Sequence, residues 1–391
     1  MSTYLTADSL WDGEKTLAHP RIEIEEGKIR SIDSDEGAAS DANTLTFAGA
    51  TLAPAFFDVH LHGAAGHDVM EATPEALSAI GNFLATRGTA NYLATTVTAP
   101  IDVTLKALDG LAKLIENPEA LDASSTAALP IGIHLEGPFL SPAKCGVQPR
   151  EYLQDPSATL FDRLFEAAAG KIRLMTIAPE LDGATDLIRH ATARGVRVSL
   201  GHSNATAAKT LAAIAAGAIS ATHTFNAMRP LDHREPGILG TVLTNDSLYA
   251  ELICDGIHSH PEMTRLWWRA KGAERAILVT DAMSAAGMPD GEYRLGDFPV
   301  QVSGGRAMAR GVLAGSVLTL DRALGNFIEF TAAPLEQALR LLSANPAAMT
   351  GQTDRAGRVA VGEPANLVAV NAQGKLIASL RNGTAIAQYP L

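Results

Sequence analysis

At 391 residues with 47% hydrophobic side chains, the chain is long enough to bury one large core or two modest ones, which excludes a disordered or fibrous protein. A formal charge of -12, with acidic residues spread along the chain, excludes nucleic acid and an anionic membrane as main partners, because both call for a basic surface. Only two cysteines, Cys145 and Cys254, no leader-like start in MSTYLTADSLWDGEK, and no apolar run of about 18 residues or more lead us to expect a cytoplasmic protein with free thiols and no membrane span.

In chain order, the opening segment carries short β-rich pieces, RIEIEEGKIRSI and TLTFAGATLAP, broken by Gly, Pro and Asp turns. The closing segment repeats that character in GRVAVGEPANLVAV and GKLIASL. Between them come eight apolar, β-rich runs: LAPAFFDV, TANYLATTV, LPIGIHLE, KIRLMTIAPE, GVRVSLGH, AISATHTF, LYAELICDG and AILVTDA. Helical patterns fill most gaps: PEALSAIGNFLATRG, IDVTLKALDGLAKLIEN, SATLFDRLFEAAAGK, GATDLIRHATARG, NATAAKTLAAIAAG and PEMTRLWWRAKG. Several start at Pro, Ser, Asn or Thr and close at Gly, as helix ends do. The sixth connection, NAMRPLDHREPGILGTVLTND, has no clear helical period and reads partly as a functional loop. Eight strands alternating with helices over about 230 residues predict an α/β fold, a parallel (β/α)8 TIM barrel. The two ends would form one small β-sandwich domain, giving residues 1-53 and 356-391 to the sandwich and 54-355 to the barrel.

Candidate metal-binding and catalytic side chains recur at one structural place. His60 and His62 follow strand one, Glu136 ends strand three, His202 ends strand five, His223 ends strand six and Asp281 ends strand eight. In a barrel these strand ends gather at one mouth. A His-x-His at a strand end is weak evidence alone, since alternation puts both rings on one face with or without a metal. Glu136 and Asp281 say more: a carboxylate closing an apolar run is costly to bury unless a cation, a donor set or a metal meets it. Imidazole and carboxylate together suit Zn²⁺ or another borderline divalent ion such as Fe²⁺. His134 shares the strand face of Glu136 and is read as a packing or supporting group; Trp267 and Trp268 are read as helix packing. VSGGRAMARGVLAGS lacks nucleotide-binding spacing and reads as a hairpin and loop near the site.

The HLH of strand one, LEGPFLSP, GHSNAT, THTFNAMRPLDHREPG and VTDAMSAAG together resemble the amidohydrolase superfamily, and within it the N-acetylglucosamine-6-phosphate deacetylase family. The resemblance runs over nearly the whole chain, including the split β domain. It implies a metal held by Glu136, His202 and His223, with Asp281 as catalytic acid and base. It also implies an optional second metal at His60 and His62, sharing Glu136 and Asp281. It further implies a substrate pocket with Asn226, Ala227, Arg234 and His258, the last two facing phosphate, and a homodimer in which one or both reach across the subunit boundary. The implied reaction is hydrolysis of the acetamide of N-acetyl-D-glucosamine 6-phosphate to D-glucosamine 6-phosphate and acetate, in amino-sugar catabolism and cell-wall sugar recycling. One departure stands out: where many members have a histidine about twelve residues after the metal-binding glutamate, this chain has Gln148, which can hydrogen-bond a sugar but cannot be a cation. Cys145 lies in the same loop and is read as a small side chain near the entrance.

Three other readings remain open at this stage. A deacetylase for another N-acyl hexosamine phosphate, such as N-acetylgalactosamine 6-phosphate, needs the same machinery. A cyclic-amide hydrolase on the same scaffold commonly uses a carbamylated lysine from strand four, and KIRLMTIAPE offers none at its C-terminal end. An inactive barrel with a binding role should have lost a ligand or Asp281, and none is missing. Arg234, flanked by Asp232 and Glu235, also admits a plain reading as a solvated loop residue.

Overall fold

The computed structural model describes residues 2–34, 43–121 and 126–389. The eight barrel strands are Phe56–Leu61, Thr89–Thr95, Leu129–Glu136, Ile172–Ile177, Arg197–Leu200, Ser220–Ala221, Tyr249–Ile253 and Ala276–Val279, numbered one to eight here. Each pairs in parallel with its sequence neighbour. The circle closes where Leu61 bridges Ala282, with the Asp281 N–H donating to His60 O at 2.9 Å and the His62 N–H to Ala282 O at 2.8 Å. That closure seam runs through the very segments that carry the candidate ligands.

Every residue of strands one and two is buried, which is why those runs read as nearly continuous apolar stretches. Around them lie α1 (Pro74–Thr86), α2 (Ile101–Glu116), α3 (Ala158–Ala167), α4 (Ala184–Ala193), α5 (Ala207–Ala216), α6 (Gly237–Thr244), α7 (Pro261–Arg275) and α8 (Leu320–Thr331). Their starts follow local chemistry: Thr73, Ser157 and Thr206 hydroxyls accept from the backbone N–H groups of Ala76, Leu160 and Lys209. α5 begins later than the pattern from Asn204 suggests, because Glu180 holds the Asn204 N–H at 2.6 Å and the Ser203 hydroxyl at 2.8 Å in a loop. α7 passes its expected end only nominally, since Gly272 leaves helical geometry at φ 60°. Trp267 is fully buried beside Phe327, as a packing residue should be.

Three segments depart from expectation. LAPAFFDV is not one barrel strand: a long strand, Thr44–Pro54, ends in the other sheet, and strand one starts at Phe56. The sixth connection contains a helix, α6, whose residues 237–243 are all buried; a helix with no polar side shows no amphipathic period. In AISATHTF only Ser220–Ala221 keeps ladder geometry, and the rest turns away as the loop carrying His223.

The two chain ends build one eight-stranded sheet, in which Leu367–Val370 and Thr3–Trp11 flank Thr44–Pro54. Leu5, Ile22, Ile29, Leu52 and Leu380 from opposite parts of this sheet meet in a single apolar cluster. Gly27 lies against Asn382 and Gly383 against Ile24, so the sheet folds over itself as a small β-sandwich. A further antiparallel sheet spans Gly291–Leu313, where FPVQVS alternates buried and exposed; VSGGRAMARGVLAGS supplies its later turns. It packs on Val97 and Met283 and is tied to the loop after strand one by the Gly296 N–H donating to Asp68 at 2.8 Å. Among the described residues no helix is long and apolar enough to cross a membrane.

Candidate metal centre

Alternation along strand one turns Asp58, His60 and His62 to the inside of the barrel, all buried. The His62 ring donates from Nδ1 to Thr95 O at 3.0 Å, and the His202 ring from Nδ1 to Lys144 O at 3.1 Å. These backbone carbonyls fix the tautomers, leaving an Nε2 lone pair aimed at the centre. His60 is held differently, with Nδ1 3.2 Å from Glu251 Oε2.

Glu136 is the hub. Its Oε1 lies 3.2 Å from both His202 Nε2 and His223 Nε2 and 3.5 Å from His60 Nε2, while Oε2 lies 3.3 Å from His62 Nε2. Asp281 Oδ1 stands 3.2 Å from His62 Nε2 and 3.5 Å from His60 Nε2. Gln148 donates from Nε2 to Glu136 Oε2 at 2.8 Å and accepts the Thr98 N–H at 2.8 Å. Gly137 follows Glu136 at φ 85°, and a Cβ there would stand 2.2 Å from the Thr98 hydroxyl oxygen, so only glycine lets the chain turn so closely after the carboxylate.

Two sets of three donors result among the described residues: Glu136, His202 and His223, and His60, His62 and Asp281, each with its ligand atoms within 4.8 Å of one another. The donor chemistry fits a divalent ion. His202 Nε2 and His223 Nε2 lie only 3.0 Å apart, a close approach of two ring nitrogens that a shared cation relieves. His60 Nε2, buried at the centre, has no hydrogen-bond partner among the described residues. Without such an ion the charges settle among themselves. Burial disfavours charged His62, yet hydrogen bonds and attraction from Asp281 and Glu136 outweigh it and push its pKa up to about 9. His60 is held well above its usual range against the same burial cost by Glu136 and Asp281. Burial likewise opposes charge on Asp281, but His60 and His62 take it down to about 2 and the histidines hold Glu136 well below the carboxylate range.

His202 (φ 46°), His223 (φ 29°), Ala227 (φ 49°) and Asp281 (φ 49°) all adopt the left-handed backbone region. Such residues each cost on the order of 1 kcal/mol or more, and they cluster where geometry is spent on function.

The other expected site residues are spread more widely. Asn226 places its amide 3.4 Å from His223 O, and Ala227 O accepts the Ser203 N–H at 2.9 Å, so both border the His223 loop. His258 is held from Nδ1 by Asp255 at 2.6 Å on the loop after strand seven. Arg234 is exposed on the loop before α6, where its N–H donates to Asp232 at 2.8 Å. Cys145 is buried and accepts from Arg150 Nε at 3.3 Å. His134 lies beneath the centre, bonded to Val59 O and the Thr176 hydroxyl, with its ring 4.7 Å from that of His60.

Two buried carboxylates escaped the sequence reading. Asp58 accepts from the Thr280 hydroxyl at 2.6 Å and from the His60 N–H at 3.2 Å; burial pushes its carboxyl up to about 7 despite these donors. Its position two residues before His60 on the same face was the available signal. Glu251, the lone acid in the buried strand YAELI, was the other.

The amidohydrolase family model matches residues 51–386. The chain belongs to the amidohydrolase family. This amidohydrolase is 37% identical to the N-acetylglucosamine-6-phosphate deacetylase of Bacillus subtilis (strain 168), over 93% of this chain and 91% of the relative. It is equally 37% identical to the N-acetylgalactosamine-6-phosphate deacetylase of Escherichia coli O157:H7, over 95% of this chain and 96% of the relative. The N-acetyl-D-glucosamine-6-phosphate deacetylase of Mycobacterium smegmatis, solved with N-acetyl-D-glucosamine-6-phosphate, superposes with a TM-score of 0.91 at 34% identity, covering 99% of this chain and 100% of that one.

Proposed function

We propose that this amidohydrolase removes the acetyl group of N-acetyl-D-glucosamine 6-phosphate by hydrolysis, yielding D-glucosamine 6-phosphate and acetate. The observation that carries the reading is the pair of donor sets joined by Glu136 beside Asp281, in a chain that matches sugar-phosphate deacetylases along almost its full length. Glu136, His202 and His223 would hold one divalent ion, Zn²⁺ by donor chemistry, and His60, His62 and Asp281 would hold a second. Such an ion supplies Lewis acidity toward the acetamide carbonyl and lowers the pKa of a water at the site.

The protein's part is positioning and proton transfer. Asp281 takes one proton from the attacking water and returns it to the sugar nitrogen as the C–N bond breaks, so the amine leaves neutral; the new oxygen keeps water's other proton as acetic acid, which ionises to acetate in solution. Gln148 spends one amide N–H on Glu136 and has another to offer a sugar hydroxyl. Asn226 and Ala227 border the sugar; His258, oriented by Asp255, and Arg234 bind the phosphate, the guanidinium through its two-pronged fork. Exposure of Arg234 together with Leu211 and Leu231, 53% and 54% exposed beside the same loop, supports a homodimer in which this face meets a second copy.

The equal identity to an N-acetylgalactosamine-6-phosphate deacetylase favours one second reading, the epimeric sugar as substrate. Acetate release from matched glucosamine, galactosamine and mannosamine N-acetyl 6-phosphates decides between them. Preference for the galactosamine epimer moves the substrate assignment, and no release from any of the three removes it.

A further inference from the structure

We propose that Glu251 is a positioning residue that sets the affinity of the second metal through His60. The proposal rests on the two-metal reading above and names the group that makes its second half bind.

Glu251 is wholly buried in barrel strand seven. Its Oε2 lies 3.2 Å from His60 Nδ1 and 3.3 Å from the His223 backbone N–H, while Oε1 has no hydrogen-bond partner among the described residues. A buried carboxyl oxygen left without a partner is costly in an apolar strand, so simple packing does not account for it. The neighbouring rings sharpen the contrast: the Nδ1 atoms of His62 and His202 are met by the neutral carbonyls of Thr95 and Lys144, and His223 Nδ1 has no partner among the described residues. Of the four histidines in the two donor sets, His60 is the one backed by an acid.

By accepting the Nδ1 proton, Glu251 commits His60 to the tautomer whose Nε2 lone pair faces Glu136 Oε1 and Asp281 Oδ1, each 3.5 Å away. A carboxylate behind an imidazole also raises the ring's basicity and adds negative charge behind the ligand, where a backbone carbonyl offers only a dipole. Glu251 thereby strengthens the donor set of His60, His62 and Asp281. The same oxygen steadies the His223 N–H at the left-handed turn of that loop.

The test uses full-length protein stripped by a chelator, titrated with Zn²⁺ alone by calorimetry at one pH, with bound metal counted by mass spectrometry after equilibrium dialysis. Wild type takes two equivalents. Glu251→Gln, which keeps shape and an acceptor but loses charge, weakens the second equivalent about tenfold, and Glu251→Leu weakens it toward the top of the roughly 10–100-fold range for such supporting groups. The first equivalent is unchanged in the glutamine variant, whose amide oxygen can still accept the His223 N–H. Second-equivalent binding as in wild type, or equal weakening of both equivalents, overturns the role given to Glu251. A wild-type protein that never takes more than one equivalent overturns the two-metal reading itself and this inference with it. If the leucine variant fails to fold, the isosteric glutamine variant still decides.

Discussion

Removing metal should leave a protein whose stability falls as the solution becomes alkaline. The cause is His62: in the metal-free fold its pKa rises from 6.5 to about 9, because Asp281 and Glu136 outweigh the burial that opposes its charge. A group whose pKa is raised by folding stabilises fully below its unfolded value and loses that contribution as pH climbs through the folded one. At about 1.4 kcal/mol per tenfold change in proton affinity, the His62 contribution is about 3 kcal/mol, present below pH 6.5 and gone above pH 9. Asp281 belongs to the same ion pair, so its depression to about 2 is not added; it predicts a separate loss as pH falls from 3.8 through 2. His60, raised by the same acids, deepens the alkaline slope. Urea unfolding of chelated protein between pH 6 and pH 9 reads this directly, and His62→Asn should remove the part of the slope that His62 supplies. Because a metal takes the place of the His62 proton, Zn²⁺ binding near pH 7.5 should release protons into a weakly buffered solution. Stability of the stripped protein that stays level or rises from pH 6 to 9 would refute the reasoning.

Asp281→Asn should keep metal at Glu136, His202 and His223 while turnover drops by about 10²–10⁴-fold; near-normal turnover removes Asp281 from proton transfer. Arg234→Ala should cost about 1.5–3 kcal/mol of binding to the phosphorylated sugar and leave its unphosphorylated analogue unaffected; equal loss for both makes Arg234 a general structural residue. Gly137→Ala should lower stability by about 1–3 kcal/mol, since the added Cβ meets the Thr98 hydroxyl at 2.2 Å on a left-handed backbone; an unchanged urea midpoint would show that this turn relaxes freely.

Much of this architecture was legible in the amino-acid order. Buried parallel strands must be apolar on both faces, so runs such as LPIGIHLE stand out, and an acid at the end of one, Glu136, is conspicuous because burial is costly. His60, His62, His202, His223 and Asp281 became informative once the barrel order placed their four strand ends beside that of Glu136 at one mouth. What stayed hidden has physical reasons. α6 carries no polar face, so nothing in GILGTVLT repeats at 3.6 residues. Ala55 alone separates two strands of different sheets, and no turn signal is needed where Pro54 ends one ladder. Glu251 and Asp58 read as isolated acids because their partners, His60 and Thr280, are distant in sequence and meet only when strand seven and the closure seam are assembled. Gln148 suggested a sugar contact; its hold on Glu136 and Thr98 depends on a loop path that spacing does not encode.

The most direct test of the account follows acetate release from N-acetyl-D-glucosamine 6-phosphate on one preparation, before chelation, after it, and after adding back Zn²⁺ in counted equivalents. The account predicts release that disappears with the metal and returns as the Glu136, His202 and His223 set refills. Release that persists in the stripped protein, or stays absent when metal is restored, would contradict it.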